Sequence, residues 1–404
     1  MAGYGVVLAV AALTTWVLGF AVHRLAVRFG AVVLPDDRHI HTRPLPTAGG
    51  AAMFGAVLLA MFVASQLGQF GEVFESSEPL GVVVAAAVIF VVGLVDDLRE
   101  VSAPAKLAGQ VLAGSILSFL GVTMFYFRVP FLDIVSISPD LAPLLTVLWL
   151  VAIANAINLI DGLDGLAAGI VAIAAAAFFI YGDRLSNAGL LPPGNVGPLV
   201  AVVACGICLG FLPHNFHPAR IIMGDAGSML LGLLMAASTM MVGGRTADQF
   251  SGQTYFFFAP IFIPLFVLGV PILDTLFAIV RRSVRGAGIS APDKEHLHHR
   301  LMRLGHGQRR SVVILWAWTA ILSGLVLLPT FTNEGQAVIP FAGLGLIVAL
   351  YTLFHPGVRQ RAEEEAEARA EADDRLANAA AAAAKPRLAD VVELADRRRE
   401  AEGR

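Results

Sequence analysis

An acidic pair, Asp96-Asp97, closes one of the long apolar runs in the sequence. Adjacent carboxylates repel one another, and burial raises their pKa values further. A helix end that keeps both therefore needs a cation or a proton beside them, and Lys106 opens the next apolar run. Neighbours on a helix point about 100° apart, so we expect the two carboxylates to have different partners. Pairing of Asp97 with Arg99, or of either aspartate with a lysine, is a purely structural alternative.

A second polar set occurs at every third position of an apolar run: Asn155, Asn158, Asp161 and Asp164. On an α-helix a step of three residues turns by about −60°, so adjacent members share a face. Amide and carboxylate oxygens on one stripe suit Mg²⁺, a hard cation that prefers oxygen ligands and keeps several waters. Mn²⁺ accepts the same donors. A row of interhelical hydrogen bonds is the alternative interpretation.

A lone aspartate lies among glycines in the segment Gly224-Asp225-Ala226-Gly227-Ser228. A glycine-rich helix start exposes backbone N–H groups and favours an anion. Asp225 has the wrong charge to bind phosphate itself, so we expect it to hold a metal that in turn holds the phosphate. An ordinary N-cap aspartate is the alternative.

Two further segments are basic. The first includes Arg38, His41 and Arg43, and taken alone it favours a positively charged loop with a turn. A phosphate clamp formed by Arg38 and Arg43 is the alternative. The second contains His296, His298, His299 and Arg300. Imidazoles beside arginine suit a nucleotide diphosphate better than zinc, because no cysteine and no clear carboxylate pattern accompany them.

The rest of the chain must position these segments in a membrane. The 404 residues are 57% hydrophobic and 15% charged, with a mean hydropathy of +0.74, whereas soluble domains carry about 25% charged residues. A spanning helix needs roughly 20 apolar residues. The sequence predicts an all-α polytopic membrane protein with about eleven spans, namely 4–22, 49–68, 80–95, 106–124, 142–160, 165–181, 196–213, 227–243, 256–280, 312–330 and 336–354.

This composition excludes a soluble enzyme, a disulfide scaffold and a disordered chain. The apolar runs do not alternate with polar residues, which argues against a β-barrel. A net charge of −3 gives no indication of a nucleic-acid partner. Cys205 and Cys208 lie inside an apolar run and are interpreted as small hydrophobic residues.

The distribution of positive charge predicts the orientation. One set of loops holds 15 lysines and arginines, and the opposite set holds three. Cytoplasmic loops carry the excess of positive charge, so we expect the N-terminus outside and the C-terminus in the cytoplasm of a cell membrane. The five polar segments then face the cytoplasm, in loops 23–48, 96–106, 158–165, 214–226 and 281–311. We place a membrane domain at 1–355 and an Ala/Glu/Arg-rich tail, solvated or partly disordered, at 356–404.

Oxygen ligands for a hard metal, paired carboxylates, a lysine and a His/Arg cluster together match phosphoryl transfer. The sequence has no Walker loop, no G-x-S-x-G elbow and no HExxH motif. A site at the membrane surface favours a lipid phosphate as one substrate and a soluble activated phosphate as the other.

At these motifs the chain resembles the polyprenyl-phosphate N-acetylhexosamine-1-phosphate transferases, over roughly residues 35–310. The resemblance implies that a lipid phosphate attacks the sugar-linked phosphorus of a UDP-sugar in the presence of Mg²⁺ and releases UMP. The product is the first lipid-linked intermediate of a cell-envelope glycopolymer. The implied partners are the bilayer, a polyprenyl phosphate and the UDP-sugar, and a homodimer stays open.

The resemblance also implies roles for residues. Asp225 becomes the Mg²⁺ ligand with Asn158 beside it, and Lys106 neutralises the diphosphate. Catalytic roles fall to Asp96 and Asp97 at the lipid phosphate and to Asp161 and Asp164 in the nucleotide pocket. The remaining substrate-binding candidates are Asn155, His296, His298, His299, Arg300, Arg38 and His41.

The sugar is less directly indicated. Leu297 interrupts the histidine run and Arg300 follows it, as in the GlcNAc-1-phosphate branch of the family. We therefore expect UDP-GlcNAc as the donor. UDP-MurNAc-pentapeptide is the alternative donor. A secondary transporter is a further alternative, which the missing internal repeat disfavours.

Overall fold

The computed structural model describes residues 1–30, 32–33, 44–99, 101–129, 133–245, 304–332 and 335–354, with single positions and short pieces between 268 and 302 and between 395 and 401. Helices of this part of the chain are α1 Ala2–Phe29, α2 Gly49–Ser65, α3 Gly71–Phe74, α4 Glu78–Leu98, α5 Ala103–Phe119, α6 Ala142–Ile160, α7 Leu166–Asn187, α8 Gly197–Asn215, α9 Gly224–Gly243, α10 Gln308–Thr332 and α11 Ile339–Phe354. Short 3₁₀ turns cover Gly68–Phe70 and Gly335–Val338.

Several helices begin where the sequence provides a suitable first turn. Pro79, Pro104, Pro143 and Pro198 lie at the first or second position of α4, α5, α6 and α8. Proline suits this position because the first-turn N–H groups have no partner within the helix and its φ is already helical. Gly30 ends α1 with a φ of 71°, a left-handed value that glycine adopts without strain.

Seven of these helices are long and apolar enough to cross a membrane. Helix α2 and the turn-and-helix segment 68–74, bent by 91° at the break, would make an eighth span. The prediction of a polytopic helical membrane protein is therefore confirmed. The number eleven and the orientation stay predictions, and most of the span placed at 256–280 lies outside the described residues.

Two short antiparallel ribbons are exceptions to the all-α prediction. Strand β1 (Val32–Val33) pairs with β2 (Leu45–Pro46), and β3 (Tyr126–Val129) pairs with β4 (Asp133–Ser136). Both lie between helices, where two short segments satisfy their backbone groups by pairing with each other. Strands of two to four residues are too short to produce a recognisable alternation in the sequence.

Helix α9 is the centre of the bundle. Its apolar window is entirely buried, and α2, α4, α6, α7 and α8 all pack against it. Small residues allow these close approaches: a Cβ at Gly50 would collide with the backbone of Gly227, and one at Gly93 with that of Ala226. The first turn of α9 is therefore held directly against α2 and α4.

The chain divides into two units, Met1–Thr352 and Leu353–Arg404. All of the helices discussed below belong to the first unit. Few residues of the second unit are described.

Candidate active site

The polar side chains of four helices meet where α9 begins. Helix α4 ends with Asp96 and Asp97, α5 begins near Lys106, and α6 supplies Asn158 close to its last turn. Asp225 is in the first turn of α9 itself. The structure thus brings five of the residues predicted from sequence into one cluster.

Asp97 caps α9 from a neighbouring helix. Its Oδ1 accepts a hydrogen bond from the backbone N–H of Asp225 at 2.8 Å, and its Oδ2 accepts one from Ala226 at 3.1 Å. The hydroxyl of Thr47 also donates to this carboxylate. The anion that this helix start favours is therefore a carboxylate of the protein itself.

Glycine is required beside this contact. Gly224 has a φ of +67°, and a Cβ there would overlap the carboxylate of Asp97. A side chain at this position would be strained by its backbone conformation and would also displace the cap.

Lys106 lies between the two other carboxylates. Its Nζ is 2.9 Å from Asp96 Oδ2 and forms a second ion pair with Asp225 Oδ2. Asp96 Oδ1 also accepts the N–H of Val101 at 2.8 Å. The expectation that Asp96 and Asp97 have different partners is confirmed. An ammonium held by two carboxylates shows that this end of the bundle favours positive charge.

Asn158 and Asn155 have separate partners. Asn158 Nδ2 donates to Asp225 Oδ1 at 3.0 Å and to Ser228 Oγ at 2.8 Å. Asn155, one turn deeper, donates to Gln110 Oε1 at 2.8 Å and to the Val151 carbonyl at 2.7 Å. The structure therefore places Asn155 in an amide pair rather than beside the carboxylate cluster.

Sequence reasoning missed Gln110 and gave Ser228 no role. Gln110 is 1% exposed and lies four residues after Lys106 on α5. Residues four apart lie on the same helix face, so a buried amide at this spacing is the signal that could have identified it.

The predicted stripe of four polar residues on one helix face is wrong beyond Asn158. Helix α6 ends at Ile160, and Gly165, with a φ of +76°, precedes α7. Asp164 therefore lies in the loop between the two helices. Its Oδ2 accepts hydrogen bonds from His217 Nδ1 at 2.7 Å and from the N–H of Ala219 at 3.0 Å.

Asp161 interacts electrostatically with Asp97 in the cluster and with Asp164 in the loop between α6 and α7. Burial, and then the nearby charges of Asp97 and Asp164, raise the pKa of Asp161 well above its usual range. A second cation at this position would favour its ionised form. The cluster thus gathers more acidic groups than Lys106 alone can pair with.

The donor chemistry of the cluster suits a hard metal, but no metal cage is preassembled. Within the described residues, no group of three or more His, Cys, Asp or Glu side chains is arranged to hold a metal ion. Mg²⁺ commonly uses only one or two protein carboxylates together with waters and substrate phosphates. Asp225 fits this pattern, provided that Lys106 releases its Oδ2.

The predicted basic substrate-binding residues are not among the residues that the structure describes. Arg38, His41, His296, His298, His299 and Arg300 lie outside the described residues, so their proposed binding roles stay predictions.

Fold and site together define a multi-pass membrane protein with a charged cluster at one end of its helical bundle. The sequence pattern of the family described as glycosyl transferase family 4 matches residues 79–243, which comprise helices α4 to α9. This is the part of the chain that carries the cluster apart from Thr47.

Relatives match over most of the chain. The decaprenyl-phosphate N-acetylglucosaminephosphotransferase of Mycolicibacterium smegmatis is 39% identical over 361 residues, 87% of each chain. The protein of the same name from Mycobacterium leprae is 40% identical over 87% of this chain and 89% of its own. A probable undecaprenyl-phosphate N-acetylglucosaminyl 1-phosphate transferase of Bacillus subtilis is 37% identical over 76% of this chain and 79% of its own. The chain therefore belongs to glycosyl transferase family 4, in the group of polyprenyl-phosphate phosphotransferases.

Proposed function

We propose that the chain transfers GlcNAc-1-phosphate from UDP-GlcNAc to a polyprenyl phosphate. An oxygen of the lipid phosphate attacks the sugar-linked phosphorus of the donor and forms a new P–O bond. The bond from that phosphorus to the bridging oxygen breaks, and UMP leaves with that oxygen. The product, polyprenyl-diphospho-GlcNAc, is the lipid-linked start of an envelope glycopolymer.

The observation that carries this proposal is the convergence of Asp96, Lys106, Asn158 and Asp225 at the start of α9, in a chain whose relatives are named for this transfer. Phosphoryl transfer depends mainly on positioning and on neutralising charge. Lys106 is suited to both, because its flexible side chain can exchange a carboxylate for a phosphate oxygen. Asp96 then keeps the lysine close to its working position.

Asp97 has a positioning role in this proposal. Both of its oxygens accept backbone N–H groups of α9, so it fixes Asp225 at the helix start. A dedicated base for the lipid is not required, because a phosphate monoester has a second pKa of about 6 and is already largely ionised near neutrality.

The reaction is proposed to require Mg²⁺, with Mn²⁺ as a substitute. Asp225 would hold the ion with Asn158 beside it, and Asp161 offers a further carboxylate nearby. Bound Mg²⁺ would supply charge neutralisation at the diphosphate. Since the ion and Lys106 compete for Asp225, we expect the lysine to turn towards the phosphates in the loaded enzyme.

The decisive test is release of UMP by the purified full-length protein supplied with Mg²⁺, a polyprenyl phosphate and UDP-GlcNAc. We expect Asp225→Asn to abolish the release while expression and melting temperature are kept. Asp140→Asn is the matched control, because Asp140 is an exposed aspartate outside the cluster. Equal turnover by Asp225→Asn and Asp140→Asn would remove Asp225 from the site.

The donor is tested in the same assay with UDP-MurNAc-pentapeptide. We expect this donor to be turned over poorly, because the relatives from Mycolicibacterium smegmatis and Mycobacterium leprae are named for N-acetylglucosamine transfer. If it outcompetes UDP-GlcNAc, the chain acts in another branch of the family.

The cluster is proposed to face the cytoplasm, which a pair of engineered cysteines can test. Ser102, at the start of α5, is exposed at the cluster end, and Ser138, before α6, is exposed at the opposite end. We expect a membrane-impermeant thiol reagent to label Ser138→Cys in intact cells and Ser102→Cys only after permeabilisation. The reverse pattern would place the active site outside.

A further inference from the structure

One face of α1 carries an apolar row that ends in two arginines. Leu13, Val17 and Phe20 are 61%, 56% and 38% exposed. Arg24 and Arg28, which follow Phe20 by one and two turns, are exposed as well. Each member of the row is three or four residues after the one before it, and such residues lie on the same side of a helix. This face of α1 thus changes from apolar to basic towards its C-terminal end.

The basic end of α1 lies at the cluster end of the bundle. His214, in the last turn of α8, has its Nε2 2.8 Å from the carbonyl oxygen of Trp16. Strand β2 also contacts α1, and the carbonyl of Pro46 in that strand accepts the N–H of Ile222 at 3.0 Å, just before α9. The C-terminal turns of α1 are therefore on the same side of the membrane as the charged cluster.

Helix α1 is longer than the membrane core requires. Its 28 residues span about 42 Å at about 1.5 Å per residue, whereas the hydrocarbon core is about 30 Å thick and needs about 20 residues. The apolar sequence ends at Val22, so Arg24 and Arg28 continue the helix into the headgroup region. The row therefore has its apolar part at the depth of acyl chains and its basic part at the depth of lipid phosphates.

The two arginines are not engaged by the protein. Within the part of the chain that the structure describes, neither guanidinium forms an ion pair or a hydrogen bond. At the opposite end of the bundle, by contrast, Arg245 pairs with Glu78, and the guanidinium of Arg184 lies 5.5 Å from the centroid of an aromatic ring. Arg24 and Arg28 are thus available to an anion of the membrane.

A phospholipid with a net negative headgroup complements this face. A guanidinium presents paired N–H donors that match the oxygens of a phosphate. Residues four apart on a helix are close enough for both guanidinium groups to reach one headgroup. Basic residues at a membrane surface attract anionic lipids, and the apolar row beside them offers a contact surface for the acyl chain of the same molecule.

We propose that Arg24 and Arg28 bind the headgroup of an anionic phospholipid such as phosphatidylglycerol, with an acyl chain along Leu13, Val17 and Phe20. None of these side chains belongs to the charged cluster, so this lipid is distinct from the lipid substrate. The inference depends on the membrane fold and not on the proposed function.

The experiment is native mass spectrometry of the full-length protein, titrated with phosphatidylglycerol or with phosphatidylcholine of the same acyl chains. Arg24→Gln/Arg28→Gln removes the headgroup contacts. Arg99→Gln/Arg220→Gln is the matched control, because it removes two other exposed arginines from the same end of the bundle. Arg24→Lys/Arg28→Lys keeps both charges and with them the signal for orientation.

We expect Arg24→Gln/Arg28→Gln to bind phosphatidylglycerol about 30-fold more weakly, which corresponds to about 2 kcal/mol for two basic residues at a membrane surface. The lysine pair should recover most of the affinity, and the control pair should bind like the unmodified protein. Unchanged affinity in the glutamine pair overturns the proposal. An equal loss in the control pair also overturns it, because binding would then follow net charge alone.

Two lipid comparisons complete the test. The unmodified protein should prefer phosphatidylglycerol to phosphatidylcholine, and equal affinity for both overturns the role of headgroup charge. The KM for polyprenyl phosphate should be the same in the glutamine pair and in the control pair. A raised KM in the glutamine pair alone would assign the two arginines to the substrate and reject a separate lipid site.

Cross-linking tests the position of the lipid on the unmodified protein, even if a variant fails to fold. Phosphatidylglycerol with a photoactivatable group on an acyl chain is added to the full-length protein, and the linked peptides are identified. We expect links within residues 13–28, reduced by excess unlabelled phosphatidylglycerol but not by phosphatidylcholine. Links confined to other helices overturn the proposal.

Discussion

Helices α4 and α9 pack side by side, and charged residues lie at both ends of the pair. At one end Asp97 caps α9 and Lys106 joins Asp96 to Asp225. At the other end Glu78 meets Arg245 at 3.1 Å, just beyond the last turn of α9. The same two helices thus carry a charge cluster at each end, with a different balance of charge.

The Glu78–Arg245 end is balanced. The guanidinium also donates to the carbonyls of Gly121 at 2.5 Å and Thr123 at 3.2 Å, and it lies 4.3 Å from the centroid of the Phe125 ring. Among the described residues one cation meets one anion here, and two backbone carbonyls accept further hydrogen bonds from the guanidinium. Such an arrangement stabilises the fold and offers a ligand little.

The Asp225 end is unbalanced. Three carboxylates, those of Asp96, Asp97 and Asp225, are arranged around Lys106, and Asp161 is a fourth acidic group nearby. A surplus of negative charge costs stability unless a further cation is bound. The comparison indicates that the balanced end maintains the fold and the unbalanced end performs the chemistry.

The largest expected effect is on stability at the balanced end. Arg245→Met leaves Glu78 buried without its cation, and we expect a loss of about 3–5 kcal/mol in unfolding free energy. Thermal unfolding in detergent measures it, and the double variant Glu78→Gln/Arg245→Met should recover part of the loss. Normal stability combined with lost transfer activity would contradict the division of roles.

The next effect is on activity at the unbalanced end. Asp97→Asn provides one acceptor oxygen where two N–H groups need one each, so Asp225 is no longer fixed. We expect kcat to fall about 10²–10³-fold, the range seen when one preorganised catalytic hydrogen bond is removed. The matched control is Glu78→Gln on the same helix, which should lower melting temperature and keep kcat per folded molecule. A similar kcat for both variants would remove the contrast between the ends.

A smaller effect on stability and kcat is expected at Gln110, one turn after Lys106 on α5. Gln110→Ala leaves Asn155 without its amide partner, and a buried polar group left unsatisfied costs about 1–3 kcal/mol. We expect a lower melting temperature and a kcat reduced less than in Asp97→Asn, because the carboxylate cluster itself keeps its members. A larger loss of kcat than in Asp97→Asn would place the amide pair within the chemistry.

The smallest expected effect is a difference in kcat between alanine substitutions at two glycines with the same backbone conformation. Gly224 and Gly189 have φ values of +67° and +69°, and only Gly224 faces Asp97, since a Cβ at Gly189 would meet no atom within 4 Å. Alanine at either position should cost about 1–2 kcal/mol from the left-handed backbone. Only Gly224→Ala should also lower kcat, as measured by UMP release at matched protein stability. An equal kcat in both variants would show that the cap on α9 tolerates displacement.

Much of the candidate site was predictable because its residue types are unusual in an apolar chain. Asp96, Asp97, Lys106, Asn158 and Asp225 stand out as polar residues beside or within predicted spans, and the structure brings them together. The capping of α9 by Asp97 was not predictable, because the two partners are 128 residues apart. Helical periodicity shows which face a residue occupies but not which helix lies against that face.

Local composition and motif order were enough to predict the membrane class, the approximate positions of the described spans, the polar segments and the family. Three features became visible only in the folded chain: α6 ends at Ile160, Asp164 pairs with His217, and Arg245 balances Glu78. These outcomes depend on which helices touch and at what depth. Side-chain packing across the whole bundle sets those contacts, and no short stretch of sequence contains that information.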